Sequence, residues 1–190
     1  ESARGDQCDD CGKTLDSKEL INPRSKLNPD AKIEFRETEH LFFKLSEFRD
    51  VLLDWLSEGK EHWRSSVINF TRNWLKEGLI DRAVTRDLDW GIEIPREGYE
   101  NKRMYVWFEA VMGYYSASVH WAKNQGKPEE WKKWWENEDS EHYYFMAKDN
   151  IPFHTIIWPA MLSGCGYKLP YDVPANEYLL LDSSQFSKSR

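Results

Sequence analysis

Phe145-Met146-Ala147-Lys148-Asp149-Asn150-Ile151-Pro152-Phe153-His154 is the stretch on which the fold turns. His142-Tyr143-Tyr144-Phe145-Met146-Ala147 reads as a buried strand. Pro152 then opens a helix that runs to about residue 163, with Asp149 or Asn150 as its cap and a kink expected at Pro159. Working outward, 103–107 reads as a short strand and 108–124 as a helix beginning on Glu109. Residues 128–136 read as a helical turn started by Pro128, and 176–181 as a further strand. Strand, helix, strand, helix, strand predicts an α/β fold with a parallel sheet. Ligands of such sheets bind beyond the carboxyl ends of the strands. Two loops occupy that place, 147–154 and 182–190, and the second carries Phe186-Ser187-Lys188-Ser189-Arg190.

The first half reads differently. Residues 1–32 are polar and loop-rich, with one Cys pair. Residues 33–43 alternate and then turn apolar, which predicts a strand. Ser46 is the expected cap of a helix over 47–58, where Phe48, Val51, Leu52 and Trp55 recur at helical spacing. A second helix, roughly 60–77, carries Trp63, Val67, Phe70 and Trp74 and stops at Gly78, so the two predict a helical hairpin.

Composition narrows the function. The chain has 190 residues, enough for one domain or a core with a smaller insert. Ten Trp, nine Tyr and nine Phe form a large aromatic set, suited to a core and an apolar ligand pocket. No apolar run approaches the roughly 20 residues needed to span a bilayer, and no signal peptide opens the chain. Three Cys, an odd number, argue against a disulfide framework and point to a reducing compartment, the cytoplasm. A net charge of −7 disfavours general attraction to a nucleic acid, so an RNA partner needs a local patch or another part of a longer protein. The missing initial Met and the stop inside a loop are those expected of a piece of a longer chain.

Cys8-Asp9-Asp10-Cys11-Gly12 has the spacing of a zinc knuckle. A structural zinc takes four ligands and this pair supplies two, so two reduced thiols or a redox pair remain open. Cys165, between Gly164 and Gly166, is expected to pack at a tight turn.

Read together, the Ala-Lys-Asp-Asn segment, the Ser-Lys-Ser loop and the Arg4-Gly5-Asp6-Gln7-Cys8 approach to the Cys pair resemble class I aminoacyl-tRNA synthetases. The resemblance is to the methionyl-tRNA synthetases of archaeal and eukaryotic type, and it covers nearly the whole chain. It implies the second half of a Rossmann-type catalytic domain over 103–190, preceded by a connective insert over 1–102. That insert would hold a partial zinc knuckle in 1–32 and the strand and helical hairpin in 33–102. It also implies ATP with Mg2+, L-methionine and tRNA(Met) as substrates. It further implies a zinc in the longer parent, completed by a Cys pair upstream of Cys8 and Cys11.

The resemblance assigns residues as follows. Lys188 stabilises the phosphates during adenylate formation, flanked by the hydroxyls of Ser187 and Ser189. The family loop is Lys-Met-Ser-Lys-Ser, and here Gln185 and Phe186 replace its first two residues. Asp149 receives the ribose hydroxyls of ATP, with Ala147, Lys148 and Leu179 beside the nucleotide. Ala147 stands where the family usually has Gly. Trp107, Ala110, Val111 and Tyr114 wall the methionine side chain, Val111 standing where many members have Pro. Asn150 and His154 face the same pocket, His154 reading the thioether with Tyr114. From the residues alone, each has a plainer reading: core packing for the aromatic stretch, an N-cap for Asp149, a solvated charge for Lys148, a buried imidazole for His154, and a surface loop for Ser-Lys-Ser. The family's His-x-Gly-His segment is absent from these 190 residues, so the chain alone is expected to be inactive. Two rivals remain: a non-catalytic module derived from the fold, and a class I synthetase for another apolar amino acid.

Overall fold

The computed structural model describes residues 18–180 in full, together with the backbone of Ala3–Arg4, Gln7–Cys8, Ser17, Leu181 and Ser184–Gln185. The chain divides into two compact units, Glu1–Glu39 and His40–Arg190. In the first, β1 (Ala3–Arg4) and β2 (Gln7–Cys8) pair antiparallel, with Ala3 opposite Cys8. Cys8 therefore lies on a strand of this hairpin, and Cys11 falls outside the described residues.

The strand expected over 33–43 needs a local correction: only β3 (Phe42–Phe43) forms. Glu34, Arg36, Glu37 and Glu39 are exposed charges, and nothing pairs with that backbone as a ladder among the described residues. A 3-10 turn over Leu45–Phe48 leads into α1 (Arg49–Trp55). Ser46 does not cap it. Its hydroxyl donates to Asp81 Oδ1 at 2.6 Å and its backbone N–H to the same oxygen at 3.1 Å. Those donors hold the Asp81 carboxyl below its usual range.

Helix α2 (Ser65–Glu77) begins five residues later than its apolar spacing predicts. Trp63 is buried before it, and its indole N–H donates to Tyr171 O at 2.6 Å, which holds the preceding turn out of helical geometry. Gly78 ends α2 at φ 100, a conformation β-carbons disfavour. The hairpin forms as expected: Leu52 from the first helix, Leu56 just after it, and Val67 and Leu75 from the second are all at most 1 % exposed in one core.

β4 (Arg82–Ala83) pairs antiparallel with β3, and β5 (Thr85–Asp87) pairs antiparallel with β6 (Lys102–Met104). The strand expected over 103–107 therefore lies in an antiparallel ribbon rather than in the parallel sheet. The intervening loop folds back onto it through Met104 N–H to Ile92 O at 2.8 Å. The next helix also starts earlier than expected. It runs as α3 (Val106–Glu109), a 3-10 turn at Ala110–Met112, and α4 (Gly113–Asn124). The turn started by Pro128 becomes helical only in α5 (Lys132–Trp135).

The parallel pairing is β7 (Met146–Ala147) against its partner two loops on. The helical stretch between them closes with α6 (Trp158–Gly164), and the partner is β8 (Ala175–Asn176). Tyr143 bridges Asp172 in the same parallel sense. The expected partner strand was 176–181. The pairing instead uses 172–176 and runs through Pro174, although a proline cannot donate to a ladder. Its carbonyl still accepts, taking Met146 N–H at 3.4 Å. β9 (Leu180–Leu181) pairs antiparallel with β10 (Ser184–Gln185).

No side chain caps the helix after β7. A 3-10 turn at Lys148–Asn150 is followed by a widened π-turn over Phe153–Ile157. Here the kink expected at Pro159 takes a specific form. In a regular helix the ring of Pro159 would strike the carbonyl four residues back, at Thr155. The chain widens just upstream, and Trp158 N–H bonds to Phe153 O, five residues back. Cys165 is exposed rather than packed, although its turn forms with Gly166 at φ 71. Among the described residues, no helix is long and apolar enough to cross a membrane.

Candidate functional site

The carboxyl end of β7 and the start of the α3–α4 helix meet on one side of the second unit. Their meeting point is His154. The widened turn presents this imidazole, which is 5 % exposed, toward α4. His154 Nδ1 lies 2.9 Å from Asn150 O and Nε2 lies 2.9 Å from the Tyr114 hydroxyl. A carbonyl only accepts, so Nδ1 carries the hydrogen. In the neutral ring Nε2 is then an acceptor, and Tyr114 donates to it. Burial lowers the pKa of His154, while the Asn150 carbonyl raises it; burial is the larger effect and favours the neutral ring. Burial also raises Tyr114, which keeps its hydroxyl protonated.

Aromatic side chains pack around this pair in two groups. Tyr144 sits edge-on to Tyr114 at 5.1 Å and tilted against His154 at 5.6 Å. Trp158 Nε1–H donates to the Tyr144 hydroxyl at 2.9 Å. Burial pushes the Tyr144 phenol up to about 12, so it stays a neutral partner. Trp107 and Phe153 lie ring against ring at 5.8 Å, with Trp107 52 % exposed. Trp107, Ala110 and Tyr114 follow at intervals of three and four, and all three are exposed. Val111 is 4 % exposed and belongs to the core instead. The result is a half-open apolar shelf with one neutral hydrogen-bonded pair at its base, suited to an uncharged side chain.

A second group follows β7. Asp149 is exposed and stands beside the Tyr178 hydroxyl, whose pKa is raised first by burial and then by the Asp149 charge. Lys148 is ion-paired with Glu177 and lies over the Tyr178 ring at 5.2 Å. Ala147 is half-buried, and Asn150 acts through its carbonyl. Leu179 is 73 % exposed. Ser187, Lys188 and Ser189 lie outside the described residues. Among the described residues, no three metal-ligating side chains gather.

Of the residues read from the sequence, Tyr114 and His154 are in direct contact, Trp107 packs on Phe153, the neighbour of His154, and Ala110 follows Trp107 on the same helical stretch. The sequence reading missed Tyr144, Phe153 and Trp158. Tyr144 was legible only as a residue of a buried strand, and Phe153 and Trp158 as apolar helix residues.

All 190 residues match the family described as tRNA synthetases class I (M). The chain belongs to this family of synthetases. Over its whole length the synthetase chain is 61 % identical to a methionine--tRNA ligase of Dehalococcoides mccartyi, of which it covers 34 %. It is 54 % identical over 99 % of its length to the methionine--tRNA ligase of Thermoplasma volcanium, again covering 34 % of it. The chain therefore spans about a third of the length of these relatives. The Mycobacterium tuberculosis methionyl-tRNA synthetase solved with methionyl-adenylate shares its fold, with TM-score 0.68 and 23 % identity. That match covers 94 % of this synthetase chain and 34 % of the other. These likenesses confirm the α/β fold class.

Proposed function

We propose that the protein containing this chain activates L-methionine with ATP and transfers it to tRNA(Met). The observation that carries the reading is the Tyr114–His154 pair, 2.9 Å apart at the base of the exposed Trp107 shelf, beside the carboxyl end of β7. Whole-length identity of 61 % to a protein named methionine--tRNA ligase supports it. In this reading the thioether chain lies along Trp107, Ala110 and Phe153, and Val111 backs the wall from the core. Sulfur against an aromatic edge contributes about 0.3–1.5 kcal/mol per contact. Tyr114 and His154, both neutral, receive the sulfur without burying a charge, and Asn150 fixes the tautomer.

ATP binds with Mg2+ at the loop after β7. Asp149 accepts from the ribose hydroxyls, and Ala147, Lys148 and Leu179 border the nucleotide. The methionine carboxylate attacks the α-phosphate and pyrophosphate leaves. Lys188, with Ser187 and Ser189, neutralises the charge gathered on the phosphates. Residues 1–102 act as the connective insert and 103–190 as the second half of the catalytic domain. Cys8 and Cys11 offer half of the four ligands of a structural zinc, so its other two ligands come from outside this chain. The cytoplasm is the compartment where such thiols stay reduced.

The test is amino-acid-dependent ATP–pyrophosphate exchange by the whole protein, with Lys188→Ala alongside. Exchange with methionine only, strongly reduced in the variant, is expected. Exchange with another amino acid overturns the pocket assignment. No exchange with any amino acid leaves the non-catalytic module.

A further inference from the structure

Two threonines from distant parts of the chain meet in the core behind His154. Thr71 on α2 and Thr155 in the widened turn are both 0 % exposed. Thr155 Oγ donates to Ile151 O at 2.9 Å. Thr71 Oγ lies 2.8 Å from Val67 O and 2.9 Å from Thr155 Oγ. Two hydroxyls hold two protons and make three contacts, so Thr71 shares its proton between its own helix and Thr155.

The neighbouring residue matters as much. Asn150 O and Ile151 O are the carbonyls that a regular helix would present to the N–H groups of residues 154 and 155. Each takes a side-chain donor from that same residue: the imidazole of His154 and the hydroxyl of Thr155. The two side chains, both in the widened turn, thus brace successive carbonyls just before it. The first is tied across to α4 through Tyr114, and the second to α2 through Thr71.

We infer that Thr71 and Thr155 are positioning residues: their hydrogen bond ties helix α2 to the widened turn and so sets where His154 stands opposite Tyr114. The inference rests on the proposed role of His154 in methionine binding and names residues remote in sequence that tune it. Thr71 and Thr155 touch no substrate; they act through the turn. Removing either hydroxyl leaves the other an acceptor on its own element, Val67 O or Ile151 O. Valine in place of threonine therefore breaks the link without leaving an unpaired donor.

The experiment uses the whole protein with Thr71→Val, Thr155→Val, the double variant and Thr155→Ser. Each valine variant raises KM for methionine about fivefold, as expected for one buried hydrogen bond. KM for ATP stays the same. The double variant is no worse than either single one, because both remove one interaction. Thr155→Ser restores the wild-type KM. A loss of thermal stability with methionine KM unmoved, or fully additive effects, overturns the inference. A second readout is independent of catalysis. In histidine-labelled protein, Thr155→Val moves the titration of His154 toward the ordinary histidine range, whereas Thr155→Ser does not. An unchanged His154 titration in Thr155→Val overturns the inference even if exchange fails for every amino acid, an outcome that would by itself sink only the functional reading.

Discussion

Replacing Tyr114 by Phe removes one atom from the site and tests its central contact. The ring keeps its place against Tyr144 and His154, since its edge contacts at 5.1 and 5.6 Å do not use the oxygen. What is lost is the donor to His154 Nε2 at 2.9 Å. The Asn150 carbonyl holds the hydrogen on Nδ1, so Nε2 cannot turn donor without breaking that bond. An acceptor left unpaired in a buried ring costs about 1–3 kcal/mol. Tyr114 is 45 % exposed, which lets water reach Nε2 and places the cost near the lower end. A loss of about 1 kcal/mol lowers the thermal midpoint by about 2–4 °C for a domain of this size. If the hydroxyl also reads the thioether, KM for methionine rises about fivefold while KM for ATP stays, because residues 147–149 are untouched. Pyrophosphate exchange at varied methionine and at varied ATP, beside a thermal melt, separates these effects. A lower midpoint with methionine KM within twofold of wild type would make the pair purely structural. No change in either quantity would refute the hydrogen bond itself.

Asp149→Asn is expected to raise KM for ATP at least tenfold, the usual loss for a charge-assisted hydrogen bond, with KM for methionine unchanged; equal shifts in both would detach Asp149 from the nucleotide. Leu52→Ala, at a position 0 % exposed between the two hairpin helices, destabilises by about 3 kcal/mol in urea titration. A loss below about 1 kcal/mol would mean that α1 does not share the core. Burial lowers the pKa of His142 and of His154 below the ordinary histidine value of about 6.5, and burial with the Lys102 charge does the same for His40. The unfolded chain then binds protons that the folded chain refuses, so stability is fully present above pH 6.5 and falls as pH drops below it. Urea midpoints that stay level from pH 7.5 to 5.5 would contradict that sign.

Local signals in the chain were sufficient for the elements with strong periodicity. Val67, Phe70 and Trp74 recur at helical spacing, and Gly78 allows the positive φ that ends α2, so that helix and its stop were legible. The parallel pairing was harder to read. Pro174 argues against a strand locally, yet only its carbonyl is needed, and that depends on which edge faces β7. Ser46 looked like a cap because caps are read from neighbours, whereas its partner Asp81 is 35 residues away.

The same division holds at the site. The sequence by itself was enough for the family, through motifs that resemble it, and that resemblance supplied the candidates Trp107, Tyr114, Asp149 and His154. Only the tertiary structure decided that Tyr114 donates to a neutral His154, that Val111 faces the core, and that Tyr144 and Trp158 back the pair. The widened turn before Pro159 explains the difference. It rotates His154 by an amount no regular helical period predicts, and its bracing by Thr71 comes from a helix 84 residues away. Hydrogen-bond direction and burial are set by what lies across the core, and spacing along the chain does not carry that information.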